Sequence, residues 1–131
     1  MKVTRFEDLE VWQQARDLTR QVYRLTANGS FSRDYGLKDQ MRRASVSTMA
    51  NIAEGFSRRG DKEFCQFLFV VKSSAAELQS YAYVAVDQGY ITETDFKGLY
   101  ESFDHVSRML SNLIKRLLHG PRDRSVTRST Q

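Results

Sequence analysis

The chain has 131 residues, of which 40% are hydrophobic and 27% are charged. This length corresponds to one domain, and this balance is typical of a globular protein with its own core. A single cysteine excludes an internal disulfide, and a single proline with seven glycines favours long elements over a many-turned β-sandwich. Neither a signal-peptide pattern nor a membrane-spanning apolar stretch is present, so we expect a cytoplasmic protein that needs no membrane.

The net charge of +4 is divided between the body of the chain and its last residues. Residues 121–131 carry three arginines and one aspartate, a balance of +2, and the other +2 belongs to residues 1–120. We expect this last segment to be a basic disordered tail, because it has no apolar period. A basic patch on the folded part must therefore arise from the arrangement of its side chains.

Apolar residues recur at alternating intervals of three and four along four segments, which is the pattern of amphipathic helices. The predicted helices cover about residues 7–27, 37–56, 61–88 and 93–119. The apolar stripe of the second is unusually small and polar, so we expect this helix to pack closely against a neighbour. Thr92 and Asp95 form a capping box before the fourth. Four such helices with mostly short connections predict an all-α fold, an antiparallel up-and-down four-helix bundle over residues 1–120.

The third helix carries more apolar side chains than one core can cover. Exposed apolar surface of this extent usually marks an interface, so we expect the chain to assemble as a homo-oligomer. The predicted contact residues, from the third helix and from the first, are Trp12, Tyr23, Phe69, Val70, Tyr81, Tyr83 and Val84.

A polar group lies on the second and third helices. Asn51 is in phase with the apolar stripe and Glu54 follows three residues later, so we expect both to lean inward. A buried carboxylate needs hydrogen-bond donors or a cation. We therefore predict a structural polar network of Asn51, Glu54, Ser74 and Glu77 that fixes the helix register. A ligand-binding or catalytic role for the carboxylate is the alternative.

The sequence contains two histidines and no recognised catalytic or metal-binding motif. Glu101 and His105 are four residues apart, whereas a di-iron bundle uses Glu-x-x-His. Cys65 fits a buried apolar position. We therefore expect no metal, no cofactor, no small-molecule substrate and no enzymatic activity. The competing possibility is a small-molecule or metal-binding bundle built around Glu54, Glu77 and His105.

Basic residues form a stripe along the first helix and clusters around the second. Arg16, Arg20 and Arg24 are spaced by four, which places them on one outward face. Aligned arginines suit contacts with phosphates. The candidate nucleic-acid-binding residues are Arg16, Arg20, Arg24, Arg42, Arg43, Arg58, Arg59 and Lys62. The alternative is a solvated face whose cations are offset by carboxylates: Asp17 lies beside the stripe, and Glu54 can pair with Arg58.

Several motifs occur in an order that resembles a known family. They are Phe6-Glu7-Asp8-Leu9 with Val11-Trp12, LKDQMRRA at residues 37–44, Asn51-Ile52-Ala53-Glu54-Gly55, Glu63-Phe64 with Phe67-Leu68, and Ser74 with Glu77. Over about residues 5–118, the chain resembles the small four-helix-bundle proteins encoded within intervening sequences of bacterial 23S ribosomal RNA genes. A related branch comprises the accessory variability determinants of diversity-generating retroelements.

This resemblance implies a four-helix bundle that assembles as a homopentameric ring. It also implies a positively charged surface which, in the retroelement branch, engages nucleic acid and a reverse transcriptase. It implies no enzyme, because the family has no established catalytic residues. We therefore expect a non-catalytic homo-oligomer that binds RNA or a nucleoprotein partner through arginine-rich surfaces. The competing expectation is a structural or protein-interaction ring with no nucleic-acid role.

Overall fold

The computed structural model describes residues 3–119 and contains four α-helices and no β-strand within that range. The helices are α1, Glu10–Thr26; α2, Tyr35–Phe56; α3, Asp61–Asp87; and α4, Glu93–Leu118. The predicted all-α class with four helices is confirmed. Within the same range, no helix combines the length and the hydropathy that crossing a bilayer requires. The tail predicted over residues 121–131 lies outside the described part of the chain.

The first helix begins later than the sequence pattern predicts. The residues Phe6–Asp8 form a short 3-10 helix, and Leu9 is extended, with φ −73° and ψ 127°, before α1 begins at Glu10. Leu9 is buried, so the extended residue both redirects the chain and places an apolar side chain in the core. Leu9 is out of phase with the apolar stripe of α1, which begins at Val11, so the helical period does not predict its burial.

The second helix begins earlier than predicted, because Asp34 caps it. A 3-10 helix at Gly29–Arg33 leads into this position, and the Asp34 Oδ1 atom accepts the backbone amide of Leu37 at 3.1 Å. This bond satisfies one of the amide groups that the first turn of a helix leaves without a partner. The helix therefore starts at Tyr35, two residues before its first apolar position.

One hydrophobic core lies between the helices, and the predicted stripes supply it. Every residue of the α3 stripe is buried, namely Phe64, Leu68, Val71, Ala75, Leu78, Ala82 and Ala85. The α2 stripe adds two buried hydroxyl groups, those of Ser45 and Thr48. These hydroxyls donate to backbone carbonyls of α2, at 2.9 Å and 2.6 Å. Hydrogen bonds within α2 therefore satisfy them, and no partner from another helix is needed.

Helices α2 and α3 approach closely because the facing side chains of α2 are small. Gly55 is buried, and a methyl group at this position would lie 2.7 Å from Phe67 Cβ and 2.9 Å from a ring carbon of Phe64. A side chain does not fit at those distances, so this contact requires glycine. Two turns earlier, the Oγ atoms of Ser47 and Ser74 share a hydrogen bond of 3.0 Å across the same contact.

Tyr90 ties the connection between α3 and α4 to the start of α2. Its ring stacks on buried Phe31 with the ring centroids 5.0 Å apart, and its hydroxyl donates to Asp34 Oδ2 at 2.9 Å. That hydrogen bond raises the pKa of Tyr90 because it holds the phenolic proton, and desolvation and the charge of Asp34 act in the same direction. Asp34 therefore holds both the first turn of α2 and this connection.

Replacing Gly55 by alanine should lower the free energy of unfolding by about 1–3 kcal/mol, because the new methyl group forces apart the contact between α2 and α3. Gly98→Ala in α4 is the matched control. Nothing lies within 4 Å of a methyl group there, so alanine should raise the free energy of unfolding by about 0.5–1 kcal/mol. Urea denaturation followed by circular dichroism measures both. Equal, small effects would contradict the close contact.

Candidate nucleic-acid interface

The arginine stripe of α1 lies on the side of the helix turned away from the core. Its members Arg16, Arg20 and Arg24 are all exposed. The two neighbouring helices flank this stripe: Thr19 donates to the Ser45 carbonyl of α2 at 3.1 Å, and Gln21 donates to Ser102 of α4 at 2.9 Å. The arginines therefore cross the outer surface of α1 between its contacts with α2 and α4.

The adjacent arginines of α2 have different environments. The guanidinium carbon of Arg42 lies 4.3 Å from the ring centroid of Tyr23, and its Nε donates to Thr26 Oγ1 at 2.8 Å. Its Nη2 also donates to the Tyr23 carbonyl at 3.3 Å, near the end of α1 where carbonyls lack helical partners. Arg43 is instead exposed and pairs with Asp39 at 2.7 Å. Arg42 therefore joins two helices, whereas Arg43 faces solvent.

The basic cluster after α2 lies apart from this region. Arg58 pairs with Glu54 at 2.8 Å, and its guanidinium carbon lies 4.9 Å from the Phe67 ring centroid. Arg59 and Lys62 are exposed. Arg58 follows Arg42 by sixteen positions, and the part of α2 between Arg42 and its end at Phe56 is about 21 Å long. The structure therefore groups Arg42 with the α1 stripe, turns the adjacent Arg43 about 100° away on α2, and places the other three predicted residues at the far end of α2.

The prediction that Glu54 leans inward is wrong. Its side chain is 56% exposed and forms the ion pair with Arg58. The buried positions around it are Ile52, Gly55 and Phe56, and the rotation of 100° per residue turns position 54 away from the core. Glu77, the other carboxylate of the predicted network, is also exposed.

Ser47 links the two remaining members of the predicted polar network. The Nδ2 atom of Asn51 donates to Ser47 Oγ at 3.0 Å, and Ser47 Oγ shares its second hydrogen bond with Ser74. Together with Gln40, Arg43, Ala44, Glu77 and Tyr81, the two serines line an open groove of about 270 Å³ between α2 and α3. The hydroxyls at the base of this groove are therefore satisfied by each other and by an amide.

Carboxylates and histidines do not converge in the described chain. Among residues 3–119, no three His, Cys, Asp or Glu side chains form a group that could hold a metal ion. Glu54, Glu77 and His105, the residues of the metal-binding alternative, are each exposed and form no such group.

The predicted oligomer contacts fall into two sets. Four residues on the outer side of α3 are 44–51% exposed, and we call them the α3 apolar face: Phe69, Val70, Tyr83 and Val84. Trp12 and Tyr81 instead pack partly against the core, and the Trp12 ring meets Phe6 edge-on with centroids 5.2 Å apart. Tyr23 is 40% exposed and belongs to the basic region through its contact with Arg42.

Three residues beside the arginines were not predicted as part of the site. Arg33 and Tyr35 are exposed, and the Lys38 Nζ atom lies 5.1 Å from the Tyr35 ring centroid. A charge count along the chain would have found this region, because residues 16–43 contain seven basic and three acidic residues, a balance of +4. We call the following set the basic α1–α2 surface: Arg16, Arg20, Tyr23, Arg24, Arg33, Tyr35, Lys38 and Arg42.

The fold and this surface define a small all-α protein with its basic charge concentrated on α1 and early α2. The chain belongs to the 23S rRNA-intervening sequence protein family, whose model matches residues 7–112. The resemblance identified from the motifs is thereby confirmed at the level of this family.

A crystal structure supports the fold. It is described as a protein of unknown function from the S23 ribosomal protein family of Bacteroides thetaiotaomicron, and it superposes with a TM-score of 0.73 at 18% identity. The match covers 80% of this chain and 98% of that chain. Similarity at this identity shows the fold alone. No curated protein matches the chain.

The different environments of the adjacent arginines predict different effects on stability. Arg42→Ala should lower the free energy of unfolding by about 1–2 kcal/mol, because it removes charge-assisted hydrogen bonds and the contact with the Tyr23 ring. Arg43→Ala, the matched control, should change it by less than about 0.5 kcal/mol, because an exposed ion pair contributes little. Thermal and urea unfolding measure both variants. A larger loss for Arg43→Ala would contradict these assignments.

Proposed function

We propose that this protein is a non-catalytic homo-oligomer of antiparallel four-helix bundles that binds RNA through the basic α1–α2 surface. The observation that carries the proposal is the concentration of charge: the balance of residues 16–43 equals the net charge of the whole chain. Contacts with phosphates supply most of the sequence-independent affinity for nucleic acid. A protein of modest net charge can therefore bind RNA when its cations share one surface.

The environment of the arginines supports this role. Within residues 3–119, ion pairs join Arg5 with Glu7, Arg43 with Asp39, Arg58 with Glu54, and Arg108 with Asp104. None of these pairs includes an arginine of the α1 stripe, and Asp17, the acidic residue beside the stripe, accepts from Gln21 at 3.1 Å. Of the acidic residues near it, Asp39 is paired with Arg43, and Asp34 accepts hydrogen bonds from Leu37 and Tyr90.

Contacts between neighbouring helices support the antiparallel arrangement. Ser47 of α2 bonds to Ser74 of α3, whereas Gly55, further along α2, faces Phe67, which comes earlier in α3. Advancing along α2 therefore means going back along α3. The same reversal relates α3 to α4, in the contacts of Lys72 with Ser111 and of Tyr83 with Phe96.

The α3 apolar face supports assembly of several copies. Its four large side chains form two pairs, Phe69-Val70 and Tyr83-Val84, and each is about half exposed. Exposed apolar side chains of this size are typical of interfaces. The family resemblance implies a ring of five. A ring would repeat the basic α1–α2 surface around its axis and sum the electrostatic field of the copies, which strengthens attraction of an anionic partner.

The RNA-binding proposal predicts a response to charge reversal. The variant Arg16→Glu, Arg20→Glu, Arg24→Glu should bind a fluorescein-labelled RNA about 100-fold more weakly, and the slope of log K against log salt should fall by about two to three. Fluorescence anisotropy over a salt series measures both quantities. The matched control, Lys72→Glu, Lys97→Glu, Arg108→Glu, makes the same change of net charge on α3 and α4. Equal losses for the two variants would contradict an interface on α1 and α2.

The assembly proposal predicts a mass that is a multiple of the 15.2 kDa chain. Multi-angle light scattering at micromolar concentration should show this multiple, and Val70→Glu with Val84→Glu should reduce it, because each buried contact would then contain a carboxylate. Val46→Glu on α2 is the matched control, since Val46 is the same residue type, is 44% exposed and lies on another helix. A wild-type chain that elutes as a monomer would contradict the proposal.

The second candidate function is a protein-interaction ring without a nucleic-acid role, and the α3 apolar face favours it. The resemblance to the retroelement branch implies a reverse transcriptase as one such partner. If the ring acts only through proteins, RNA binding should be absent and a purified reverse transcriptase should be retained by the wild type. The Val70→Glu, Val84→Glu variant should then lose that partner.

A further inference from the structure

We infer that the basic α1–α2 surface is a site for single-stranded RNA, in which Tyr23 and Tyr35 stack on unpaired bases while the neighbouring arginines contact phosphates. This inference rests on the proposed function and specifies the form of nucleic acid that the surface binds. Binding of single strands depends on two features together, a positively charged path for the backbone and aromatic rings for the bases. The surface contains both.

Both tyrosine rings are open to solvent and have a cation beside them. Tyr35 is 71% exposed, with the Lys38 ammonium 5.1 Å from its ring centroid. Tyr23 is 40% exposed, with the Arg42 guanidinium 4.3 Å from its ring centroid. Each ring therefore keeps part of its surface for a base, while a positive charge lies close enough to attract the attached phosphate.

Hydrogen bonds fix these cations before any ligand binds. Arg42 is held by Thr26 and by the Tyr23 carbonyl, and the Lys38 Nζ atom donates to the Ser32 carbonyl at 3.0 Å. Long basic side chains normally lose much rotamer freedom on binding. Because the Arg42 and Lys38 side chains are already ordered in the free protein, they lose less rotamer entropy on binding, which favours the complex.

The spacing of the two rings suits one short oligonucleotide. Tyr35 and Arg42 are seven residues apart on α2, which places them on the same side of the helix about 10 Å apart. Since Arg42 lies against Tyr23, both rings belong to one region. Arg20 and Arg24 lie within one turn of Tyr23 on α1, and Arg33 precedes Tyr35 by two residues. Each ring therefore has a phosphate-binding arginine nearby in the chain.

The rings also distinguish single strands from duplexes. In a duplex the base faces are stacked on one another, and the deep, narrow major groove of A-form RNA does not admit side chains. The arginines alone would attract either form, because both carry phosphates. Only unpaired bases can use the exposed faces of Tyr23 and Tyr35, so the surface should favour single strands.

The test uses the full chain and a mixed-sequence, fluorescein-labelled RNA of about 12 nucleotides, alone or annealed to its complement. Fluorescence anisotropy should show tighter binding of the single strand. Tyr35→Leu and Tyr23→Leu should each weaken that binding by about tenfold. The salt slope should stay unchanged, because neither substitution removes a phosphate contact. Tyr35→Phe and Tyr23→Phe should retain binding, since they keep the ring.

Tyr100→Leu on α4 is the matched control, because Tyr100 is 41% exposed but lies outside the basic α1–α2 surface. If Tyr23→Leu fails to fold, the binding measured for Tyr35→Leu decides the test. Leucine variants that bind like the wild type, or a duplex that binds as tightly as the single strand, would overturn the inference. If the α1 charge reversal still abolishes binding in that case, the proposed function survives. Absence of binding to both RNAs would overturn the two together.

Discussion

The position of α2 between α1 and α3 is the constraint on which the rest of the molecule depends. Its two edges have different chemistry. Toward α3 it presents Ser47 and the buried Gly55, which allow close approach. Toward α1 it presents Arg42, which binds the end of that helix through Thr26 and Tyr23. A large side chain on the first edge would separate the helices, and loss of Arg42 would remove its hydrogen bonds to Thr26 and to the Tyr23 carbonyl.

This arrangement separates two surfaces that the proposed function uses. The basic residues on the side of α2 that faces α1 lie beside the arginine stripe of α1. Together they form the basic α1–α2 surface. On the other side, α3 fills the core with one stripe and keeps Phe69, Val70, Tyr83 and Val84 on its outer side. A copy that covers the α3 apolar face can therefore leave the basic surface open to RNA. The two activities can be tested by substitutions that do not overlap.

The helices could be predicted from the sequence because their apolar period is a local signal, and the buried stripe of α3 matches it residue for residue. The capping box of Thr92 and Asp95 is local as well and is confirmed. The predicted orientation of the Glu54 side chain was wrong because Glu54 lies at the margin of a stripe, where one step of 100° separates a buried position from an exposed one. The pairing of Arg42 with Tyr23 could not be predicted, since it joins residues on different helices whose relative position the sequence pattern does not give.

Ultraviolet crosslinking of the wild-type protein to single-stranded RNA, followed by mass spectrometric mapping, tests the central claim most directly. It locates the bound bases without altering any side chain. The account predicts crosslinks within residues 16–43, with Tyr23 and Tyr35 as the principal sites. Crosslinks confined to α3 or α4 would contradict it.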